Sequence, residues 1–515
     1  MDRRFGMIEK KFDLIIRNGK IIDGTGSPFF WADIAIKNGK IARIGKGLDD
    51  AHKIIDAHGL VVTPGFIDSH SHADNAILTY PDQMEKIEQG ITTSIGGQCG
   101  ESPAPNRNGM SGQKMQTMGD FLNEVKSIPQ GANIATFVGH NELRCTVMGM
   151  ENRAPSKEEL EEMKALLRDG IEHGALGISF GLVYSPGCYA DTEELIELAK
   201  VAGEYHALVA AHIRNENSAL VKATEEFIEV IRAAGVRGIL SHHKASMKEN
   251  WGKVNHTLRL IDKANEEGVD VYCDVYPYTA WHTSLSTTFI PKEYRAVGSK
   301  ELADLLRNPV IRAEIKARQL KVRGKDDLSW GQITKCAGYP EYEGMCLSEV
   351  AKVHGKDVYE TIFDIISESH NLCYICGFSM CEEDVETVLA HPRAMVCTDS
   401  SVAKDAKVYH PRLRGSFPRV LGRYVRERKV TTLPEMIRKM KSMPASVYGL
   451  TGKGLLREGF DADICIFDPE KIIDHAEYMA CHERAEGLNY VILNGEIVLE
   501  NAVYNGKKMG KVLLR

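Results

Sequence analysis

Six side chains of metal-ligand type fall at comparable places in this 515-residue chain: His70, His72, Cys99, His212, His242 and Asp399. They lie at or near the ends of five short β-rich runs, GFIDSHSH (65–72), ITTSIGGQC (91–99), ALVAAHIR (207–214), RGILSHHK (237–244) and RAMVCTDS (393–400). Singly, each has a plain structural explanation. A histidine near a strand end is ordinarily packed or solvent-facing, a lone cysteine is ordinarily a small buried hydrophobe, and an aspartate before two serines is ordinarily a helix cap. Their coincidence at the same ends of successive runs points instead to a metal centre. Imidazole and thiolate are borderline-to-soft donors and suit zinc better than magnesium or calcium. The two-residue step of His70 and His72 puts both rings on one face of a strand. A thiolate at Cys99 can bridge two ions, with a second, weaker metal at His70 and His72. Zinc polarises a carbonyl oxygen and brings the pKa of water towards about 7. A carboxylate such as Asp399 can ligate, and can also take a proton from water and deliver it to a leaving nitrogen. The chemistry expected is metal-assisted hydrolysis of an amide-type bond.

Three more β-rich segments, NIATFVGH (133–140), ALGISFGLV (175–183) and VDVYCDVYP (269–277), bring the series to eight. Helical patterns separate most of them; one opens with a Ser-x-x-Glu capping box at Ser156 and Glu159. Strand alternating with helix means a parallel sheet, and eight units make a closed (β/α)8 TIM barrel the leading α/β topology, over about residues 64–449. Barrel enzymes assemble their sites at the C-terminal ends of the strands, where the six candidates fall. The long gap between the seventh and eighth strands holds a charged insertion near the barrel mouth, about 284–345. Both ends of the chain, 1–63 and 450–515, read as short strands with the turn pairs Asn18-Gly19, Asp23-Gly24, Asn38-Gly39, Asn494-Gly495 and Asn505-Gly506. They are expected to build one small β-sandwich domain from both termini.

A net charge of -7, with both signs mixed along the chain, excludes a nucleic-acid or anionic-membrane surface. Charges interrupt every apolar stretch of the N-terminus, so neither a signal peptide nor a membrane span is expected. The 12 cysteines have no framework spacing and read as reduced thiols of a cytoplasmic protein.

PGFIDSHSH, the terminal EGFDADICIFD and the aspartate of CTDSS resemble the amidohydrolase superfamily. More narrowly, GITTSIGGQCGESPAP, GLVYSPG, AAHIRNE, SHHKAS, DVYPYT and HPRLRGSFPR are similar to the N-acyl-D-amino-acid deacylases, or D-aminoacylases, over nearly the whole chain. Many amidohydrolases bridge their metals with a carboxylated lysine of the fourth strand. That strand has no lysine here, and Cys99 supplies the bridging type of ligand. The resemblance implies a tighter zinc at Cys99, His212 and His242, a weaker site at His70 and His72, and Asp399 as acid/base. His242 is preferred to His243 because neighbours on a strand face opposite ways. The substrate, a small N-acyl amino acid, would have its carboxylate held by Lys244, Arg412 and either Tyr276 or Tyr278, with Tyr184 orienting the scissile group. A planar guanidinium fork and an ammonium suit that anion. Arg414 or Arg419 can replace Arg412 in this role. Arg214 and Glu216 are candidates to orient a ligand, and His140 is read as structural. Glu101 departs from the apolar residue more usual after Cys-Gly in the family.

Three other readings stay open at this level. One is a cyclic-amide hydrolase of the hydantoinase or dihydroorotase type, another a deaminase on the same fold, and the third a metal-free scaffold.

Overall fold

The computed structural model describes residues 11–107, 114–324, 327–402 and 408–515. All eight expected β-rich segments carry strands: Phe66–Asp68, Ile91–Gly96, Asn133–Thr136 with Val138–Gly139, Gly177–Gly181, Leu208–His212, Arg237–Leu240, Val271–Val275 and Ala394–Val396. We number them one to eight in that order. Every ladder between them is parallel. Strands one to three form one hydrogen-bonded sheet, and the Val138–Gly139 part of strand three joins strands four to eight in another. Only Phe137 separates the two parts of strand three. At the other margin, the Ser69 amide donates to Val396 O at 3.4 Å, the Asp399 amide donates to His70 O at 2.8 Å, and Ser71 bridges Ser400 in parallel. The first and eighth strands are therefore laced together where the candidate site residues stand.

These strands are almost entirely buried, as parallel strands covered by helices on one side must be. Amphipathic helices supply the cover. Lys157–Glu172 is capped by Ser156, whose hydroxyl accepts from the Glu159 amide while Glu159 returns a bond to Ser156 N, the expected capping box. It turns Met163, Leu166, Leu167 and Ile171 to the core.

Strands from both ends of the chain share one antiparallel-rich sheet: Val61–Pro64 pairs directly with Ile464–Phe467. Asn38-Gly39 and Asn494-Gly495 make tight turns at positive φ, as expected. Asn18-Gly19 does not. The strand Phe12–Ile21 runs straight through that pair, with a register shift between Ile16 and Gly19. Asn18 takes φ 57°, and a Cβ on Gly19 would lie 2.7 Å from Val62 Cγ2, so the pair serves a bulge and a close approach.

Between strands seven and eight, Trp281–Ser284, Gly331–Cys336 and Cys373–Gly377 form a separate antiparallel sheet. It has its own hydrophobic core, from Leu285 through Phe289, Ile333 and Ile362 to Ile375. This unit continues beyond residue 345, the limit suggested by charge, because its last strand is apolar.

Candidate active site

The six ligand-type residues converge. Cys99 Sγ lies 3.3 Å from His70 Nε2, 3.6 Å from His212 Nδ1 and 3.3 Å from His242 Nε2. Asp399 Oδ1 lies 3.4 Å from His70 Nε2 and 3.3 Å from His72 Nε2. Two overlapping donor sets result, Cys99–His212–His242 and His70–His72–Cys99–Asp399, each with its ligand atoms within 4.8 Å of one another. Cys99 belongs to both. His212 closes strand five, and the other five residues follow their strands by two to four positions. Three of them, Cys99, His242 and Asp399, hold positive φ of 55°, 37° and 49°. Such backbone is costly for residues with a Cβ and persists where the surroundings enforce it, commonly at functional sites.

The electrostatics suit a cation. Burial first, and the neighbouring cations second, hold His242 well below the usual imidazole range. Burial does the same for His212, against the pull of Glu216. Both rings are therefore neutral and offer lone pairs. Burial pushes the Cys99 thiol well up, and the charges of Asp399 and Glu101 push the same way, so a thiolate there calls for a positive ion between the donors. Burial alone would raise Asp399, yet the Arg412 guanidinium foremost, and the hydrogen bond to His72 after it, hold its carboxyl well below the usual range. The donor set thus fits zinc, with imidazole, thiolate and carboxylate facing one point.

Partners around this cluster orient it. His242 Nδ1 lies 2.8 Å from Lys244 Nζ and 3.0 Å from Glu216 Oε1, while Lys244 donates to Glu216 at 2.5 Å. Glu216 Oε2 is 3.6 Å from His212 Nε2, so one carboxylate backs two candidate ligands. Asp274 accepts from the His242 amide at 2.6 Å and stands 3.6 Å from His70 Nδ1. Beneath the first and eighth strand ends, buried Lys86 donates to Asp68 at 2.9 Å, Thr398 Oγ1 at 2.7 Å and Ser400 O at 3.0 Å. Asp274 was legible as a carboxylate inside the apolar run VYCDV. Lys86 had no comparable signal: Asp68 is 18 residues away, but Thr398, which completes the clasp, is 312 residues away in the chain.

A cavity of about 630 Å³ opens over the cluster, lined among others by His72, Cys99, Tyr184, His212, Lys244, Tyr276, Asp399 and Arg412. Lys244 and Arg412 lie 5.5 and 5.0 Å from the centre of the Tyr276 ring, so the three expected carboxylate-binding groups share one wall. Tyr278 does not line this cavity; its hydroxyl is turned to Asp474 and Pro411 O, at 3.3 and 3.4 Å. Arg414 pairs with Glu88, and Arg419 pairs with Asp474, so neither competes with Arg412. The Tyr184 ring packs edge-on against His212 at 5.1 Å. His243 points away, to Thr257 Oγ1 at 2.7 Å. Arg214, expected near the ligands, forks instead onto Glu226. His140 meets Glu194 at 2.8 Å beside Arg144, outside both donor sets. His282 and Tyr409, packed 4.7 Å apart at the cavity wall, were not singled out from the sequence.

Comparison with known proteins gives the family. A model of the amidohydrolase family matches residues 53–319 and 399–499. The chain belongs to the amidohydrolase family. It is 34% identical to a D-aminoacylase of Alcaligenes xylosoxydans xylosoxydans, over 98% of both chains. An N-acyl-D-glutamate deacylase from the same organism is 36% identical, over 99% of this chain and 98% of the relative. Among solved structures, an N-acyl-D-glutamate deacylase from Bordetella bronchiseptica, complexed with zinc and a phosphonate inhibitor that mimics the tetrahedral intermediate, superposes with a TM-score of 0.86. It is 33% identical, covering 98% of this chain and all of that one. Within the family, the chain falls in this deacylase branch.

Proposed function

We propose that this chain hydrolyses the amide bond of N-acyl-D-amino acids, releasing a carboxylate and a free D-amino acid. The observation that carries the proposal is the juxtaposition, in one cavity, of the thiolate–imidazole donor sets with the Lys244–Arg412–Tyr276 wall. A hydrolase of an anionic amide needs both. The preference for the D enantiomer rests on the relatives, whose names all specify it.

In this reading Cys99, His212 and His242 would hold the tighter zinc, and His70 and His72 would hold a weaker one with Asp399 and the shared Cys99. Zinc supplies Lewis acidity, polarising the scissile carbonyl and bringing the ionisation of water towards neutral pH. Asp399 accepts the proton of the attacking water and returns it to the nitrogen as the C–N bond breaks, so the amine leaves neutral. Lys244, Arg412 and the Tyr276 hydroxyl fix the substrate carboxylate, which places the amide over Cys99 rather than displaced along the cavity. Tyr184, braced on His212, orients the scissile group. Glu216 and Asp274 hold the imidazoles of His212, His242 and His70 in their bonding orientation.

The eight parallel strands are read as a closed barrel over 64–449, supported by the bonds joining strands one and eight. The terminal segments, 1–63 and 450–515, are read as one small β-sandwich, supported by their shared sheet. Among the described residues no helix is long and apolar enough to cross a membrane. The cysteines are thiols rather than disulfides, which supports a cytoplasmic setting.

The test is hydrolysis of matched N-acetyl-D- and N-acetyl-L-amino acids by the zinc-loaded protein, with Asp399→Asn and Cys99→Ala alongside. Turnover of D substrates, lost in both variants, is expected. Zinc binding with no turnover of any acyl amino acid would reject the substrate assignment.

A further inference from the structure

Three carboxylates line the cavity: Glu101, Glu216 and Asp399. Two are committed. Glu216 holds Lys244 at 2.5 Å and His242 at 3.0 Å, and Asp399 holds Arg412 at 2.6 Å and His72 at 3.3 Å. Glu101 is different. Its amide donates to Gln98 O, but among the described residues no Lys, Arg or His lies within ion-pair distance of its side chain, which is exposed to the cavity. An unpaired carboxylate on the wall of a ligand site is a request for a cation.

Its position says which part of a substrate would meet it. Lys244 and Tyr276 follow strands six and seven, whereas Glu101 follows strand two, whose ladder partners are strands one and three. The donor cluster lies between these groups: Cys99 Sγ, two residues before Glu101, faces His242 Nε2 at 3.3 Å, and Lys244 approaches the opposite nitrogen of that ring at 2.8 Å. A substrate with its carboxylate on the Lys244–Arg412–Tyr276 wall and its amide at Cys99 therefore directs its acyl group towards Glu101. The site then offers cationic donors at the carboxylate end and an unpaired carboxylate at the acyl end.

We propose that Glu101 recognises an ammonium group on the acyl portion, so that the preferred substrates are aminoacyl-D-amino acids: free dipeptides whose C-terminal residue is D. This inference rests on the proposed function and narrows it. The reaction is the same hydrolysis, in which water adds across the amide, the C–N bond breaks, and two free amino acids leave. A zwitterionic dipeptide matches both ends of the cavity, and a charge-assisted ammonium–carboxylate bond replaces hydration that acetyl substrates leave at Glu101.

The experiment compares kcat/KM for glycyl- and acetyl- derivatives of the same D-amino acid, which differ by one ammonium group. It uses the zinc-loaded wild type, Glu101→Gln and Glu101→Lys, with zinc content measured in each. The wild type is expected to favour the glycyl compound by about tenfold or more, a factor of the size one close charge pair at a binding site supplies. Glu101→Gln should bring the ratio near one, and Glu101→Lys should shift preference to an anionic N-succinyl substrate. A ratio unmoved in Glu101→Gln, while both compounds are hydrolysed, would overturn this inference and leave the deacylase reading intact. Loss of zinc in Glu101→Gln would also overturn it, placing the carboxylate in metal binding. Hydrolysis of neither compound by the wild type would overturn both.

Discussion

Arg412 donates to Asp399 Oδ2 at 2.6 Å, while Oδ1 of the same carboxylate faces His70 and His72. The arginine assigned to the substrate thus also holds the assigned acid/base, and the pair is buried. In the proposed reaction, substrate binding and proton transfer would be coupled through one guanidinium. Arg412→Ala should therefore lower kcat/KM by about 10²–10³, in line with the ~2–5 kcal/mol lost when one partner of a buried charge pair is removed. Arg412→Lys should recover only part of this, because a point charge cannot replace the fork. Steady-state kinetics on an N-acyl-D-amino acid checks both; a loss under threefold in Arg412→Ala would count against the coupling.

Cys99 belongs to both donor sets, so its removal should cost more metal than removal of His72, which belongs to one. Zinc per chain after dialysis should fall to near zero in Cys99→Ala and remain substantial in His72→Ala. Chelation of the wild type should abolish turnover, and zinc should restore it. Equal zinc in the two variants would remove Cys99 from its shared position.

Lys86 is wholly buried and bonded to Asp68, Thr398 and the Ser400 carbonyl, residues that flank His70 on one strand and Asp399 on another. Lys86→Met leaves the Asp68 carboxylate buried without its cation and should cost about 3–5 kcal/mol of stability. The pair Asp68→Asn and Lys86→Met should cost less than the sum of the two single changes, since each removes the other's unpaired charge. Denaturant unfolding measures this; additive costs would mean that the two groups do not act as a pair.

His140 belongs to a separate network with Glu194 and Arg144. His140→Gln should keep its zinc content and turnover while losing about 1–3 kcal/mol of stability, the cost of disturbing a buried polar group. Loss of zinc in this variant would show that the ligand set was drawn too narrowly.

Burial lowers Lys439, packed against the Leu389 and His391 carbonyls, to about 8 from an ordinary 10.5. Below pH 8 both folded and unfolded chains carry the proton, and the cost of burying the charge is fully present. Between pH 8 and 10.5 the unfolded chain keeps the proton and the folded chain releases it, so stability rises with pH. Relative to Lys439→Met, the wild type should gain about 3 kcal/mol across that window. Parallel unfolding curves at pH 7.5 and 10.5 provide the difference; no change between them would indicate that the ammonium is not buried as described.

The ligand types, and their recurrence near the ends of five β-rich runs, were already present in the amino-acid sequence. They are legible because strand periodicity and apolar patterning are local, and because imidazole and thiolate have few common reasons to recur together. The eight strands were legible for the same cause, as was the capping box at Ser156 and Glu159. Asn18-Gly19 misled, because a residue pair that accepts positive φ serves a bulge as readily as a turn. What remained open concerned groups brought together from distant parts of the chain. Tyr276 and Tyr278 are two residues apart with the same chemistry, and Asp474 and Pro411 O, packed beside Tyr278, turn its hydroxyl out of the cavity. Arg412 is separated from Arg414 and Arg419 by Glu88 and Asp474, which claim the other two. The Glu216 clasp on His212, His242 and Lys244, and the Lys86 clasp on Asp68 and Thr398, follow the same rule. Sequence determines which groups are available, but a buried charge takes the partner nearest in space, and only the tertiary structure decides which that is.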